Sequence, residues 1–220
     1  MNMNKYIDHT ALKAVTTEKE IQLLCTEAKE HEFYSVCVNS CWVPLAKKEL
    51  KGTDIKICAV VGFPLGAMST AAKTFEAKTA VEQGADEIDM VLNVGFLKSN
   101  KIDSVLEDIA SVKRTIGKKV LKVIIETCYL TDAEKTQACS LALEAKADFV
   151  KTSTGFGSGG ATFQDVELML KTVEGKALVK ASGGVRDAKT ARKYIEMGVK
   201  RLGTSNGIQI VTGEETGTGY

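Results

Sequence analysis

The stretch VLKVIIETCYLTDAEKTQACSLALEAKADFVKT, residues 120–152, reads as strand, helix and strand in turn. Val120–Glu126 is a run of β-branched and apolar residues interrupted by one lysine, and Asp148–Thr152 is a second, shorter run. Both have the length and composition of strands buried in a parallel sheet. Asp132–Ala145 between them is amphipathic, as the helix of a strand–helix–strand crossover is. The same alternation extends in both directions. Tyr6–His9, Tyr34–Val38, Ile55–Val61 and Glu87–Leu92 precede as strand candidates, and Leu178–Ala181 and Arg201–Thr204 follow. Helical stretches separate them at Thr17–His31, Cys41–Leu50, Ser69–Gln83, Ile102–Ile116, Phe163–Thr172 and Ala188–Met197. Ile21, Leu24, Cys25 and Ala28 show the three–four spacing, Thr17 with Glu20 makes a capping-box start, and Gly84, Gly117 and Gly198 supply stops. Eight strands alternating with helices predict a single-domain α/β protein, a (β/α)8 TIM barrel over residues 1–212. Periodicity leaves a doubly wound open sheet as the alternative. Residues 213–220, rich in glycine and without an apolar period, read as a flexible C-terminal tail.

Composition narrows the function. The 220 residues are 44% hydrophobic and 26% charged, with a formal net charge of +1. Such a balance argues against a nucleic-acid or membrane-surface partner. The polar start at Met1–Tyr6 does not resemble a signal peptide, and no apolar run approaches transmembrane length. The six cysteines form no CxxC pair and no zinc-like spacing with His9 and His31, and several sit in apolar runs as reduced core thiols do. A cytoplasmic location is the expectation. Homo-oligomer formation stays open, since the exposed helix faces show no clear apolar patch.

Two lysines point to chemistry. Lys151 ends the run Ala147–Val150 and Lys180 ends Ala177–Val179, and glycine follows each within four residues. Strand carboxyl ends line the active sites of barrels. An ordinary lysine, with a pKa of about 10.4, is almost wholly protonated at pH 7, so a nucleophilic amine needs burial or a nearby cation. A second ammonium about 6 Å away contributes roughly 3 kcal/mol at an effective dielectric near 20. Alternatively, both are solvated strand-end residues. Asp89, an acid in the apolar strand Glu87–Leu92, is either a proton relay or half of a structural ion pair, and Lys122 is its candidate partner. Asp8 either caps a helix or points into the barrel mouth; His9 reads as structural, and Cys37 as an inert core thiol. Gly183-Gly184 after the seventh strand and Gly203-Thr204-Ser205-Asn206 after the eighth suit a phosphate site, without being a P-loop. Tyr220 is a disordered end or a tethered phenol.

The segments Ile7-Asp8-His9-Thr10, Val61-Gly62-Phe63-Pro64-Leu65-Gly66, Gly84–Val91, Lys122–Thr127, Phe149–Gly155 and Lys180–Arg186 together resemble the deoxyribose-phosphate aldolase family, in order from the first strand to the last. That resemblance implies a class I aldolase that needs neither metal nor organic cofactor and acts on small phosphorylated sugar and aldehyde substrates. It implies Lys151 as the Schiff-base residue, Lys180 as its perturber and proton partner, Asp89 in the relay and Lys122 as the residue ordering it. It assigns a substrate hydroxyl to Thr154 and the phosphate to Gly155, Gly183, Gly184, Gly203 and Ser205. It also links a C-terminal tyrosine, here Tyr220, to proton transfer. Asn206 and Phe156 depart from the pattern of some members, where serine and lysine occur.

Overall fold

The computed structural model describes residues 2–213. Eight parallel strands, β1 (Ile7–Ala11), β2 (Ser35–Asn39), β3 (Lys56–Val61), β4 (Glu87–Val91), β5 (Val120–Ile124), β6 (Phe149–Lys151), β7 (Leu178–Ser182) and β8 (Arg201–Thr204), pair in sequence order. β8 then pairs with β1, Asp8 opposite Gly203, and the sheet closes into a barrel. Closure removes every sheet edge. The open-sheet alternative is thereby excluded, and the chain is a single-domain (β/α)8 TIM barrel.

Helices α1 (Glu18–Glu30), α2 (Val43–Glu49), α3 (Thr70–Gln83), α4 (Val94–Lys98), α5 (Ile102–Ile116), α6 (Asp132–Glu144), α7 (Phe163–Val173), α8 (Ala188–Met197) and α9 (Gly207–Thr212) surround it. The capping box expected at Thr17 and Glu20 starts α1, and a second, Thr131 with Glu134, starts α6. Ile21, Leu24, Cys25 and Ala28 are the buried face of α1. Gly84 and Gly198 end α3 and α8 at φ 118° and 113°, where a Cβ would be strained. The first strand begins one residue later than expected because Met3–Tyr6 winds into a 3-10 turn. The stretch expected as one helix over Cys41–Leu50 divides into a 3-10 turn at Ser40–Trp42 and then α2, whose first turn holds Pro44.

The strands separate two interiors by their period of two. Outward side chains such as Val36, Val38, Ile57, Ala59, Ile88, Met90, Leu121 and Val123 form the main hydrophobic core with the helices. Inside the barrel the apolar cluster is small: Leu12, Cys37, Cys58 and Val60, with Phe63 against it. Charged side chains fill the rest, and Asp8, Asp89, Lys122 and Lys180 are wholly buried.

Candidate active site

At the carboxyl ends of the strands lies a cavity of about 470 Å³, in contact with Lys151, Thr154, Gly155, Phe156 and the turns after β7 and β8. Register places the two lysines side by side, Lys151 opposite Lys180 on neighbouring parallel strands, and their side chains point the same way. Like charges so placed need a carboxylate between them. Asp89 supplies it: its Oδ2 accepts from Lys151 Nζ and from Lys180 Nζ, each at 2.8 Å. Two 2.8 Å bonds to one oxygen keep the two nitrogens no more than 5.6 Å apart. The expected closeness is therefore present, with the Asp89 carboxylate bridging the two ammonium groups.

Asp89 Oδ1 accepts from Lys122 Nζ at 2.8 Å and from the Cys58 thiol at 3.0 Å. Lys122 also pairs with Glu87 at 2.5 Å. Below them Arg201 donates from Nε to Asp8 at 2.6 Å, reaches Glu87 at 2.7 Å and lies over the Tyr34 ring, 3.6 Å from its centre. Asp8 also accepts from Ser35 Oγ at 2.6 Å and from Lys180 in a short bond. Unpaired buried charges are costly, so each of these groups depends on its neighbours. Burial alone would raise the pKa of both aspartates. Arg201 and Lys180 instead hold Asp8 low, and Lys122, Lys151 and Lys180 hold Asp89 well below the usual carboxylate range. Burial pushes Lys180 down, yet Asp8 and Asp89 more than offset it and keep the ammonium protonated. Lys122 behaves alike, with Asp89 as its main support. Four cationic side chains (Lys122, Lys151, Lys180 and Arg201) thus face three carboxylates (Asp8, Glu87 and Asp89), and loss of one proton leaves the group electrically neutral.

The sequence candidates fall into three sets. Lys151, Thr154, Gly155, Gly183, Gly184, Gly203, Ser205 and Asn206 all border the cavity. Asp8, Asp89, Lys122 and Lys180 lie beneath it and do not border it; Asp8, read as a helix cap or as pointing into the barrel mouth, points into the barrel, where its carboxylate pairs with Lys180, Arg201 and Ser35. Tyr220 lies outside the described residues. Gly203 has a steric role of its own, since a Cβ there would sit 3.1 Å from Lys180 Cε and 2.9 Å from Ser182 Cβ. His9 is structural as expected, its Nε2 bonded to Glu27 at 2.6 Å. Cys37 is buried beside Cys58. A hydrogen bond with Cys58 draws the Cys37 thiol down to about 7 against the opposing effect of burial, while burial pushes Cys58 up. Cys37, Cys58 and Asp89 converge within 4.8 Å, but both Asp89 oxygens already serve ammonium groups, an unfavourable setting for a metal cation.

Sequence reasoning missed Arg201 and Glu87, each at the first position of its strand, where a charge reads as solvated. It also missed Arg186 and Lys13 at the cavity rim, and Glu126 behind Thr154.

Fold and site together define a (β/α)8-barrel enzyme whose cavity is floored by buried, ion-paired lysines. A family model described as DeoC/LacD family aldolase matches residues 2–215. The deoxyribose-phosphate aldolase of Brevibacillus brevis is 57% identical over 221 residues, covering 100% of both chains. That of Carboxydothermus hydrogenoformans is 58% identical over 218 residues, covering 97% of this chain and 96% of its own. A solved structure, the aldolase QR15, superposes with a TM-score of 0.92 at 44% identity, covering 96% of this chain and 95% of that one. The chain belongs to the DeoC/LacD aldolase family and is an aldolase, an enzyme of the lyase class. Among the described residues no helix is long and apolar enough to cross a membrane.

Proposed function

We propose that this aldolase cleaves 2-deoxy-D-ribose 5-phosphate reversibly to D-glyceraldehyde 3-phosphate and acetaldehyde through a Schiff base on Lys151. One observation carries the assignment of the nucleophile. Of the three lysines on Asp89, only Lys151 borders the cavity, its side chain 4% exposed against 0% for Lys122 and Lys180. The relatives' name supports the substrate.

The chemistry follows from that placement. Lys151 gives up the surplus proton of the buried group and attacks the C1 aldehyde of the open-chain sugar; water leaves and an imine forms. The protonated imine draws electrons as the C3 hydroxyl loses its proton and the C2–C3 bond breaks. Glyceraldehyde 3-phosphate departs, and the enamine left on Lys151 is protonated and hydrolysed to acetaldehyde. Lys180, paired with Asp8 and Asp89, gives a proton to the substrate through water and regains one from the C3 hydroxyl by the same route, while Asp89 joins the relay and Lys122 holds Asp89 in place. Gly155, Gly183, Gly184 and Gly203, with Ser205 and the amide of Asn206, border the cavity and receive the phosphate. A Cβ at Gly184 would meet nothing within 4 Å, so its backbone is open to a ligand. Binding energy from the remote phosphate positions the reacting carbons. Tyr220 is assigned to proton transfer on resemblance alone. The same reading places the enzyme in the cytoplasm, in the breakdown of deoxynucleosides.

Borohydride reduction in the presence of deoxyribose 5-phosphate, followed by peptide mass mapping, tests the proposal. A stable adduct on the peptide containing Lys151 is expected. Folded protein that gives none overturns the mechanism.

A further inference from the structure

Glu126 lies just past the end of β5, 3% exposed, with left-handed backbone angles of φ 56° and ψ 67°. Its neighbours are anchored to the chain of β6: the Ile125 N–H donates to Lys151 O and the Thr127 N–H to Thr152 O, both at 3.0 Å. The chain advances two residues on one side and one on the other, so Glu126 is the extra residue of a bulge. Non-glycine residues seldom adopt these angles, and the four others here, Glu32, Asn100, Lys146 and Glu174, lie at or just past helix ends, whereas Glu126 follows a barrel strand beside the site.

The bulge aims the carboxylate at Thr154. Oε1 accepts the Thr154 N–H at 3.2 Å, and Oε2 accepts the Thr154 hydroxyl in a short bond. The Phe156 N–H donates to Thr154 Oγ1 at 3.0 Å. A threonine hydroxyl has one proton and two lone pairs. The proton is committed to Glu126 and one lone pair to Phe156, so what Thr154 offers the cavity is a single acceptor site. Glu126 itself stays behind Thr154, bordering a smaller recess next to the main cavity. The loop closes on it tightly, since a Cβ at Gly157 would lie 3.3 Å from Glu126 Cδ.

We propose that Glu126 is a positioning residue that fixes Thr154 as a hydrogen-bond acceptor, so that the site selects acceptor aldehydes bearing a hydroxyl beside the carbonyl. This rests on the Schiff-base aldol reading above. The open-chain sugar has hydroxyls at C3 and C4. The C3 hydroxyl surrenders its proton during cleavage and needs a partner that passes it on. Thr154, its own proton tied to a buried carboxylate, suits the C4 hydroxyl, which keeps its proton throughout. In the synthetic direction this is the hydroxyl next to the aldehyde of glyceraldehyde 3-phosphate.

The test compares kcat/KM for acetaldehyde addition to glyceraldehyde 3-phosphate and to 3-oxopropyl phosphate, which lacks that hydroxyl. Wild-type enzyme is expected to prefer the hydroxylated acceptor by roughly 100-fold or more. Glu126→Gln, whose amide can accept at only one of the two Thr154 contacts and opposes a donor at the other, and Thr154→Val should each cut that preference at least about tenfold. Thr154→Ser should retain it, and the double variant Glu126→Gln/Thr154→Val should lose no more than Thr154→Val alone, because Glu126 acts through Thr154. A wild type without preference, a Glu126→Gln enzyme with the wild-type preference, or additive losses would overturn the proposal. If Glu126→Gln does not fold, Glu126→Asp, which keeps the carboxylate but shortens its reach, is read the same way. Borohydride trapping of acetaldehyde on Lys151 separates the two readings. Its absence from the wild type strikes the Schiff base itself, whereas trapping with an unchanged preference strikes only Glu126.

Discussion

Lys151 and Lys180 are register neighbours of the same residue type, and their surroundings divide them. Lys180 lies under Gly203 and between two carboxylates, whereas Lys151 has one carboxylate below and the cavity above. Gly203 is accordingly a sensitive small residue of the site. Gly203→Ala places a methyl 3.1 Å from Lys180 Cε and 2.9 Å from Ser182 Cβ, so Ser182 and the Lys180 chain must give way, which displaces Lys180 Nζ relative to Asp89. A misplacement of about 1 Å can cost roughly 100-fold in rate. The expected outcome is a drop of that order in kcat with a folded protein by circular dichroism; near-wild-type kcat would show that the lysine accommodates the methyl. Much at this scale was legible. A charge inside an apolar run is conspicuous, which is why Lys122, Asp89, Lys151 and Lys180 stood out. Asp8 stood out too, but whether it faced substrate or other side chains depended on Arg201, which is 193 residues away in sequence. Glu126 was hidden for another reason: nothing in Ile125-Glu126-Thr127 announces a left-handed glutamate.

Among the elements, α3 and α5 are joined by a buried bond that the helical pattern did not signal. Lys73 of α3 donates to Asp108 of α5 at 2.5 Å and to Val91 O at the end of β4 at 2.9 Å, and Thr70 Oγ1 donates to the other Asp108 oxygen at 2.8 Å. Lys73→Met strands the Asp108 carboxylate in the core, and breaking a buried pair in this way costs about 3–5 kcal/mol. Urea denaturation should show that loss, with most of it recovered in Lys73→Met/Asp108→Leu. A loss below about 1 kcal/mol would mean that Asp108 finds water. The long helices could be read because their apolar stripes repeat over several turns; α5 spans the expected residues Ile102–Ile116. The short helices α4 and α9 could not. Five and six residues give too few turns for a stripe, and each contains a glycine that reads as loop.

At the scale of the whole molecule, barrel closure was an inference from strand number, since no local signal distinguishes a β1–β8 pair from two sheet edges. Stability of the whole responds to alkali. Burial pushes the Cys25 thiol up to about 11 and the Cys139 thiol and Tyr194 phenol up to about 12. Between ordinary thiol and phenol values near 9 to 10 and those folded values, the unfolded chain releases protons that the folded chain keeps. The stability these three groups contribute is therefore full below about pH 9 and falls as pH rises toward 11 or 12. Thermal melts across that range should show Tm declining, with a smaller decline in Cys139→Ala; a flat profile would contradict the burial of these groups. The charged interior of the barrel has a longer-term consequence. Seven ionisable side chains share one charge balance with a single surplus positive charge, so removal of any of the three carboxylates leaves cations stranded in the barrel. The wall is different: Leu65, Tyr129 and Phe156, with large exposed apolar side chains, border the recess beside the cavity and carry no charge that another residue must answer. A laboratory search for new substrates therefore has its accessible paths along that wall rather than through the charged floor.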